Sequence, residues 1–474
     1  MFCHDSDNQR RDMTMRYLST RGEAVEREFS GVLLTGLAED GGLWQPAAWP
    51  RLDEAAYAPG ADYAARAFAV TRPFTVGGLK EQDWRTLLAD VYAGFRHKAT
   101  APLVQLDTNL WLMELFHGPT FAFKDLAMQV LGRLFDLVLK AQGTRITIIG
   151  ATSGDTGAAA VEAVRGLKTI DLVMLYPHGR ISDVQRRQMT TVEEPNIHTI
   201  ALEGTFDDCQ DLVKILFADT ALREEWRLAA VNSINWARVM VQTVYYVHAV
   251  AQLGGGPVSF AVPSGNFGNV YAGYAAREMG LDARRFIVGS NSNDILARFF
   301  EAGDMSTRPV TPTHSPSMDI QVSSNFERLL HDLLGRDGPA VVRHMAAFRQ
   351  SGRLPLDEAH WREVHQLFRG HAVNDDTTLA QIARTQAETG MTVDPHTAVG
   401  IAAACALRDP DMPTVALATA HPAKFPDAVE QATGRRPPLP DALAAQAERP
   451  ERATRMPNDP NLLKTFIRER VCRP

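Results

Sequence analysis

The sequence predicts an α/β protein built on parallel sheets, with helices covering both faces. Three observations carry this expectation. Short β-branched runs recur along the chain, each followed by a turn rich in Gly, Ser or Asn and then by a helical stretch. Repeated strand–loop–helix units of this kind imply a parallel sheet. The length, 474 residues, is too great for one ordinary core, so two or three domains are expected. Hydrophobic residues make up 45% of the chain and charged residues 22%, a globular balance with no low-complexity segment.

Taken in order, residues 1–14 are polar and lack an apolar signal core. They are expected to be a disordered extension, with Met15 as an alternative start. Residues 15–100 carry scattered Gly and Pro and no strand–loop–helix alternation, and are read as a separate N-terminal domain. The main body is expected over 101–474, with a smaller α/β subdomain at about 144–250. Leu126, Val130, Leu134 and Leu137/Val138 fall on one helical face that begins after Lys124, and Gly143 supplies the stop. Four units then read as strand, turn and helix: 145–149 with 150–157, 257–262 with 263–268, 286–289 with 290–294, and 413–419 with 420–424. The stretch from about 325 to 410 reads as mainly helical. Ligands on such sheets sit at the carboxyl ends of the strands, where these turns lie.

Several functions are argued against. With 49 basic against 56 acidic residues and no basic stripe, nucleic acid is not expected as a partner. No apolar run approaches the roughly 20 residues that span a bilayer, so no membrane partner is expected. Cys3, Cys209, Cys405 and Cys472 stand apart, with no CxxC pair, so neither zinc nor a disulfide framework is expected, and a reducing cytoplasm fits. His360 and His365 do not have HExxH spacing, and 150–154 is out of register with a GxSxG elbow.

Four segments could carry chemistry. The turn 264–268 (Ser-Gly-Asn-Phe-Gly) lies between a strand and a helix, where glycines let backbone N–H groups converge on an anion and the helix start adds partial positive charge. It is neither Walker A nor GxGxxG, and a plain tight connection is the bland alternative. The hydroxyl-rich turn 152–157 (Thr-Ser-Gly-Asp-Thr-Gly) could hold a second anion; helix capping by Asp155 or Thr156 is its alternative. The two turns are expected at neighbouring strand ends. Lys124 lies among aromatics at a helix start, where desolvation and the helix field would both lower its pKa, as a Schiff-base lysine requires. Most lysines are solvated surface groups, and apolar neighbours alone do not overturn that. In 419–424 (Thr-Ala-His-Pro-Ala-Lys), Thr419 could bond a ring nitrogen and Lys424 an anion, whereas His421 reads better as structural.

Six segments in the same order resemble threonine synthases of the class found in many bacteria and fungi: 17–22, 116–125, 151–157, 263–268, 315–320 and 419–425. The resemblance spans most of the chain. It implies a fold-type II pyridoxal-phosphate (PLP) enzyme, like the tryptophan synthase β subunit, with large and small α/β domains around the cofactor and an additional N-terminal domain. Carried over by position, it implies that Lys124 holds pyridoxal 5'-phosphate, that Gly265, Asn266, Phe267 and Gly268 bind the cofactor phosphate, and that Thr419 faces the pyridine nitrogen. Asn269 adjoins the cofactor and stands where the family often has Asp, which weakens any charge-dependent role there. The implied substrate is O-phospho-L-homoserine, with Ser153, Thr156 and Lys424 contributing to its phosphate site; the products are L-threonine and phosphate, and the assembly a monomer or homodimer. Two rivals stay open. A phosphohomoserine lyase or threonine/serine dehydratase of the same fold would release a 2-oxo acid, and a non-catalytic relative would bind PLP without turnover.

Overall fold

The computed structural model describes residues 14–22 and 25–473. The expected extension at 1–14 therefore lies outside the described residues, except for Thr14. Two sheets dominate. The larger has six strands in the order β11 (Phe368–Ala372), β10 (Ala283–Ser290), β9 (Val258–Pro263), β12 (Thr414–Ala418), β4 (Leu110–Glu114), β3 (Leu103–Asp107). All pairs are parallel except the β3–β4 hairpin. The smaller is wholly parallel, in the order β13 (Thr454–Pro457), β7 (Ile197–Glu203), β6 (Ile170–Pro177), β5 (Ile146–Ala151), β8 (Leu228–Ala229). Strands β6 and β9 are buried at every position, as expected where helices cover both faces.

Three strands do not stand out in the sequence pattern. Strand β11 interrupts the stretch read as helical, because Phe368 and Gly370 face inward and Gly370 lets the helix Ile295–Ala302 approach. A Cβ there would meet the Ala297 carbonyl oxygen at 2.2 Å. Strand β3 is the partner of the β4 hairpin, and β13 is an exposed edge strand brought back from near the C-terminus to pair with β7.

The helix Asp125–Gln142 follows its apolar rhythm: Leu126, Val130, Leu134 and Val138 are buried. Gly143 ends it in the left-handed region at φ 62°. The helix Trp236–Gln252 is buried along nearly its whole length and packs against Gly268–Glu278, Tyr63–Thr75 and Asp125–Gln142. Its first residue, Trp236, meets Tyr17 at 6.1 Å, Trp49 at 6.0 Å and Phe74 at 5.6 Å between ring centroids. These rings seal the N-terminal segment onto the central helix. Residues 17–22 serve as a clasp: Thr20 donates to Glu327 at 2.7 Å, and Arg21 pairs with the same carboxylate at 3.1 Å. Glu327 opens the helix Phe326–Leu333, and the residues just before that helix bear on the 264–268 turn.

Candidate active site

Lys124 immediately precedes the helix Asp125–Gln142 and follows a tight turn closed by Phe121 N–H to the Gly118 carbonyl, 3.2 Å. Phe121 has φ 61°, a left-handed conformation rare for a bulky residue. The turn is tied to strand β12: Phe123 N–H donates to the Thr419 carbonyl at 2.8 Å, and His421 N–H to the Phe121 carbonyl at 3.0 Å. Thr120 caps the arrangement, its N–H and hydroxyl both donating to Asp125 at 2.7 Å. Lys124 is thereby held inside, with 9% of its surface exposed.

Its amine lies 3.4 Å from Asp155, and the other Asp155 oxygen is 2.7 Å from the Lys424 amine. Lys424 has no exposed surface and also donates to the Thr120 carbonyl at 2.8 Å. Gln185 donates to Asp155 at 2.9 Å, and is itself fixed by the Ser182 capping box. Burial lowers the Lys124 pKa; Asp155 opposes this, while Lys424 and Arg238 reinforce it. Burial alone would raise the Asp155 carboxyl, but the Lys424 and Lys124 ammonium groups hold it well below the usual carboxylate range. Two buried lysines thus share one carboxylate, with Arg238 near enough to Lys124 to act on its charge.

The turns 152–157 and 264–268 belong to different sheets, following β5 and β9 respectively, which corrects the expectation of neighbouring strand ends. What the structure brings together is Asp155, just beyond strand β5 of the five-stranded sheet, with Lys124 and Lys424, which lie beyond the ends of β4 and β12 of the six-stranded sheet. Asp155 is not a cap. Thr152 fills that role, its hydroxyl accepting from Gly154 N–H at 3.0 Å and Gly157 N–H at 2.8 Å. Ser153 and Thr156 stand partly exposed beside it, with no hydrogen-bond partner for their hydroxyls among the described residues.

The 264–268 turn is a backbone cradle. Phe267, fully buried, has φ 61° and is gripped by Phe300 and Phe326 at 5.7 Å and Phe368 at 5.9 Å. Its amide is satisfied by the Ser264 hydroxyl at 3.1 Å, whereas the amides of Gly265, Asn266, Gly268 and Asn269 have no acceptor among the described hydrogen bonds. They open the helix Gly268–Glu278, so the helix field adds to them. Glycine at 265 lets the turn sit close to the 315–320 segment, since a Cβ there would lie 3.0 Å from both the Met318 Cα and the Ile320 side chain. Ser323 and Asn325 hold the Gly265 and Asn266 carbonyls at 2.8 and 3.2 Å. Asn269 accepts from the Tyr246 hydroxyl at 2.9 Å and from that of Tyr245, while its amide nitrogen is buried without a partner.

Thr419 is buried beside Lys124's turn. Its N–H donates at 3.2 Å to Thr397, which bonds Asp394. Asp394 also receives His396, whose other nitrogen takes Ser317 N–H at 3.2 Å, so the 315–320 segment and Thr419 share one network. His421 accepts from Ala423 N–H at 3.2 Å between Phe116 and Phe121, and burial pushes its pKa down to about 4. A cavity of about 340 Å³ adjoins it, bordered by Glu114, His117 and Phe121. Sequence reading gave no role to Arg238. It is 3% exposed, bonds Val231 O at 3.1 Å, has no carboxylate partner among the described residues, and leaves Nε unpaired. Burial lowers its pKa to about 10. Its signal was available as one charge in an otherwise apolar helix.

The chain matches the family described as pyridoxal-phosphate dependent enzyme over residues 96–417. It also matches the threonine synthase N terminus over 16–92 and the threonine synthase C-terminal family over 397–467. A threonine synthase of Pseudomonas aeruginosa is 51% identical, with 96% of this chain and 98% of that protein covered. One from Corynebacterium glutamicum is 41% identical, with 97% and 99% covered. Among solved structures, a PLP-bound threonine synthase from Brucella melitensis superposes with TM-score 0.94 at 46% identity, covering 96% of this chain and 99% of that one. The yeast enzyme superposes with TM-score 0.91 at 36% identity, covering 97% and 99%. This chain belongs to the threonine synthase family of fold-type II PLP enzymes.

Proposed function

We propose that the chain, as a threonine synthase, converts O-phospho-L-homoserine and water to L-threonine and phosphate, with Lys124 as the residue that carries the cofactor and moves the substrate's protons. The observation that carries this reading is the buried Lys124–Asp155–Lys424 cluster joining the two sheets. The residues fit pyridoxal phosphate: a buried amine with lowered pKa for the aldehyde, and unpaired amides at 265, 266, 268 and 269 for the phosphate. Thr419 and the unpaired amide of Asn269 are the polar groups left for the ring. When bound, the cofactor supplies an electron sink for charge developing on the substrate carbons.

The chain's own residues supply proton placement and anion binding. Burial lowers the Lys124 pKa and so favours the neutral amine, which takes the Cα proton and then a Cβ proton as phosphate leaves Cγ, and returns one proton to Cγ and, after water has added, one to Cα. Asp155 stays ionised and orients Lys124 through its second oxygen. The unpaired hydroxyls of Ser153 and Thr156, with Lys424, are assigned to the substrate phosphate. Arg238 joins them, since a buried guanidinium with no carboxylate partner is balanced by an anion. The net excess of positive charge around one carboxylate favours a dianionic phosphate. Water adds its hydroxyl at Cβ, completing the exchange.

We read residues 15–100 as an N-terminal domain and 101–474 as the PLP-binding catalytic region. Its smaller subdomain at about 144–250 is joined by Thr454–Pro457 from the C-terminal end. Every group assigned here comes from one chain, so a monomer or homodimer suffices. The cytoplasmic assignment rests on Cys209, Cys405 and Cys472 being free thiols. The test is a product assay on purified, PLP-loaded protein given O-phospho-L-homoserine. Threonine and phosphate in equal amounts are expected; 2-oxobutyrate and ammonia in place of threonine, with phosphate still released, would overturn the reading in favour of a lyase.

A further inference from the structure

A second cavity, of about 260 Å³, lies where the helix Tyr63–Thr75, residues 98–99 and the last turns of Trp236–Gln252 meet. Three of its lining side chains are almost wholly buried and hold polar atoms without a hydrogen-bond partner. They are Tyr63 (2% exposed, hydroxyl unpaired), His248 (4%, both ring nitrogens unpaired) and Arg66 (4%, Nε unpaired). The Tyr63 and His248 rings pack edge to face at 5.0 Å. The remaining Arg66 nitrogens are used on the Ala56 and Ala58 carbonyls.

Leaving buried polar atoms unpaired is costly, so a group of them around one cavity calls for a polar occupant. Charge selects its sign. Arg66 and Lys98 both border the space, and the one acidic residue there, Asp62, spends its carboxylate on Ala65 N–H as a helix cap. Burial and the Arg66 charge lower His248 to about 4, slightly opposed by the nearby Ala99 backbone, so at neutral pH its ring is uncharged. The side chains around the space carry a phenol O–H, an imidazole N–H and a guanidinium N–H, a set complementary to oxyanion oxygens. His248 lies ten residues along the helix from Arg238, about 15 Å at 1.5 Å per residue, so this cavity is separate from the Lys124 cluster.

We propose that this cavity is a binding site for a small oxyanion, a carboxylate or inorganic phosphate, held by Tyr63, Arg66 and His248 with Lys98 at its mouth. Phosphate is also a reaction product, so the readout has to be local. In the PLP-loaded enzyme labelled with [13Cε1]histidine, the His248 resonance is identified by its loss in His248→Phe and followed while acetate or phosphate is added. A saturable shift with either anion is expected, and which one produces it names the class. Tyr63→Phe removes only the unpaired hydroxyl; it should weaken the binding about fivefold, the value of one hydrogen bond, without lowering the anion-free melting temperature. A His248 resonance that stays still with both anions up to about 50 mM, or an unchanged affinity in Tyr63→Phe, would mean that water fills the cavity and would overturn the proposal.

Discussion

The turns 264–268 and 152–157 both lie between a β-strand and a helix, yet they deal with charge in opposite ways. The first contains no ionisable side chain. It offers backbone amides, a left-handed Phe267 and a glycine packed closely against Met318 and Ile320. The second places Asp155 between two buried lysines. The difference teaches where protons are meant to move. A fixed phosphate needs only preorganised dipoles, which cost nothing to reorient and do not titrate. A group that must gain and lose a proton needs neighbours whose charge sets its pKa, as Asp155, Lys424 and Arg238 do for Lys124.

The largest expected effect breaks the charged side of this contrast. Lys124→Ala should lower turnover about 10⁴-fold or more and abolish the borohydride-reducible yellow chromophore, measured by threonine formation and visible absorbance. Asp155→Asn should come next. It keeps the shape but leaves Lys424 buried without its countercharge, and a loss of about 3–5 kcal/mol in denaturant unfolding is expected. In the same variant the Lys124 pKa should fall further, because the carboxylate that raises it is gone. The acid limb of the activity profile would then move to lower pH.

On the uncharged side, Gly265→Ala should cost about 1–3 kcal/mol through the clash with Met318 and loosen cofactor retention, read by dialysis and absorbance. It should leave the Lys124 titration where it is, which separates the two turns. Asn269→Asp should be mildest. The Tyr245 and Tyr246 hydroxyls already donate to the retained oxygen, and the unpaired amide is removed, so stability should change by about 1 kcal/mol or less.

The same contrast governs what the sequence revealed. The glycine turn is legible because its chemistry is local: spacing alone announces a strand, a tight backbone and a helix start. The helix Asp125–Gln142 is legible for the same reason, through its apolar period and Gly143. Asp155 invites a capping reading because the residues that claim its carboxylate, Lys124 and Lys424, lie beyond the strand ends of the other sheet and far along the chain. Arg238 stands out as one charge in an otherwise apolar helix, but nothing within a few residues marks it as unpaired. Strands β11 and β13 escaped because Phe-Arg-Gly-His-Ala and Thr-Arg-Met-Pro carry few β-branched residues, and β13 is an exposed edge. Local physics could be read directly; contacts between distant segments could not.

Lys124 and Lys424 are both buried on the same carboxylate, so the most direct test asks which of them forms the bond. Borohydride reduction of the PLP-loaded enzyme, followed by proteolysis and mass spectrometry, should place the pyridoxyl group on the peptide containing Lys124. Finding it on Lys424, or on any other lysine, would contradict the account.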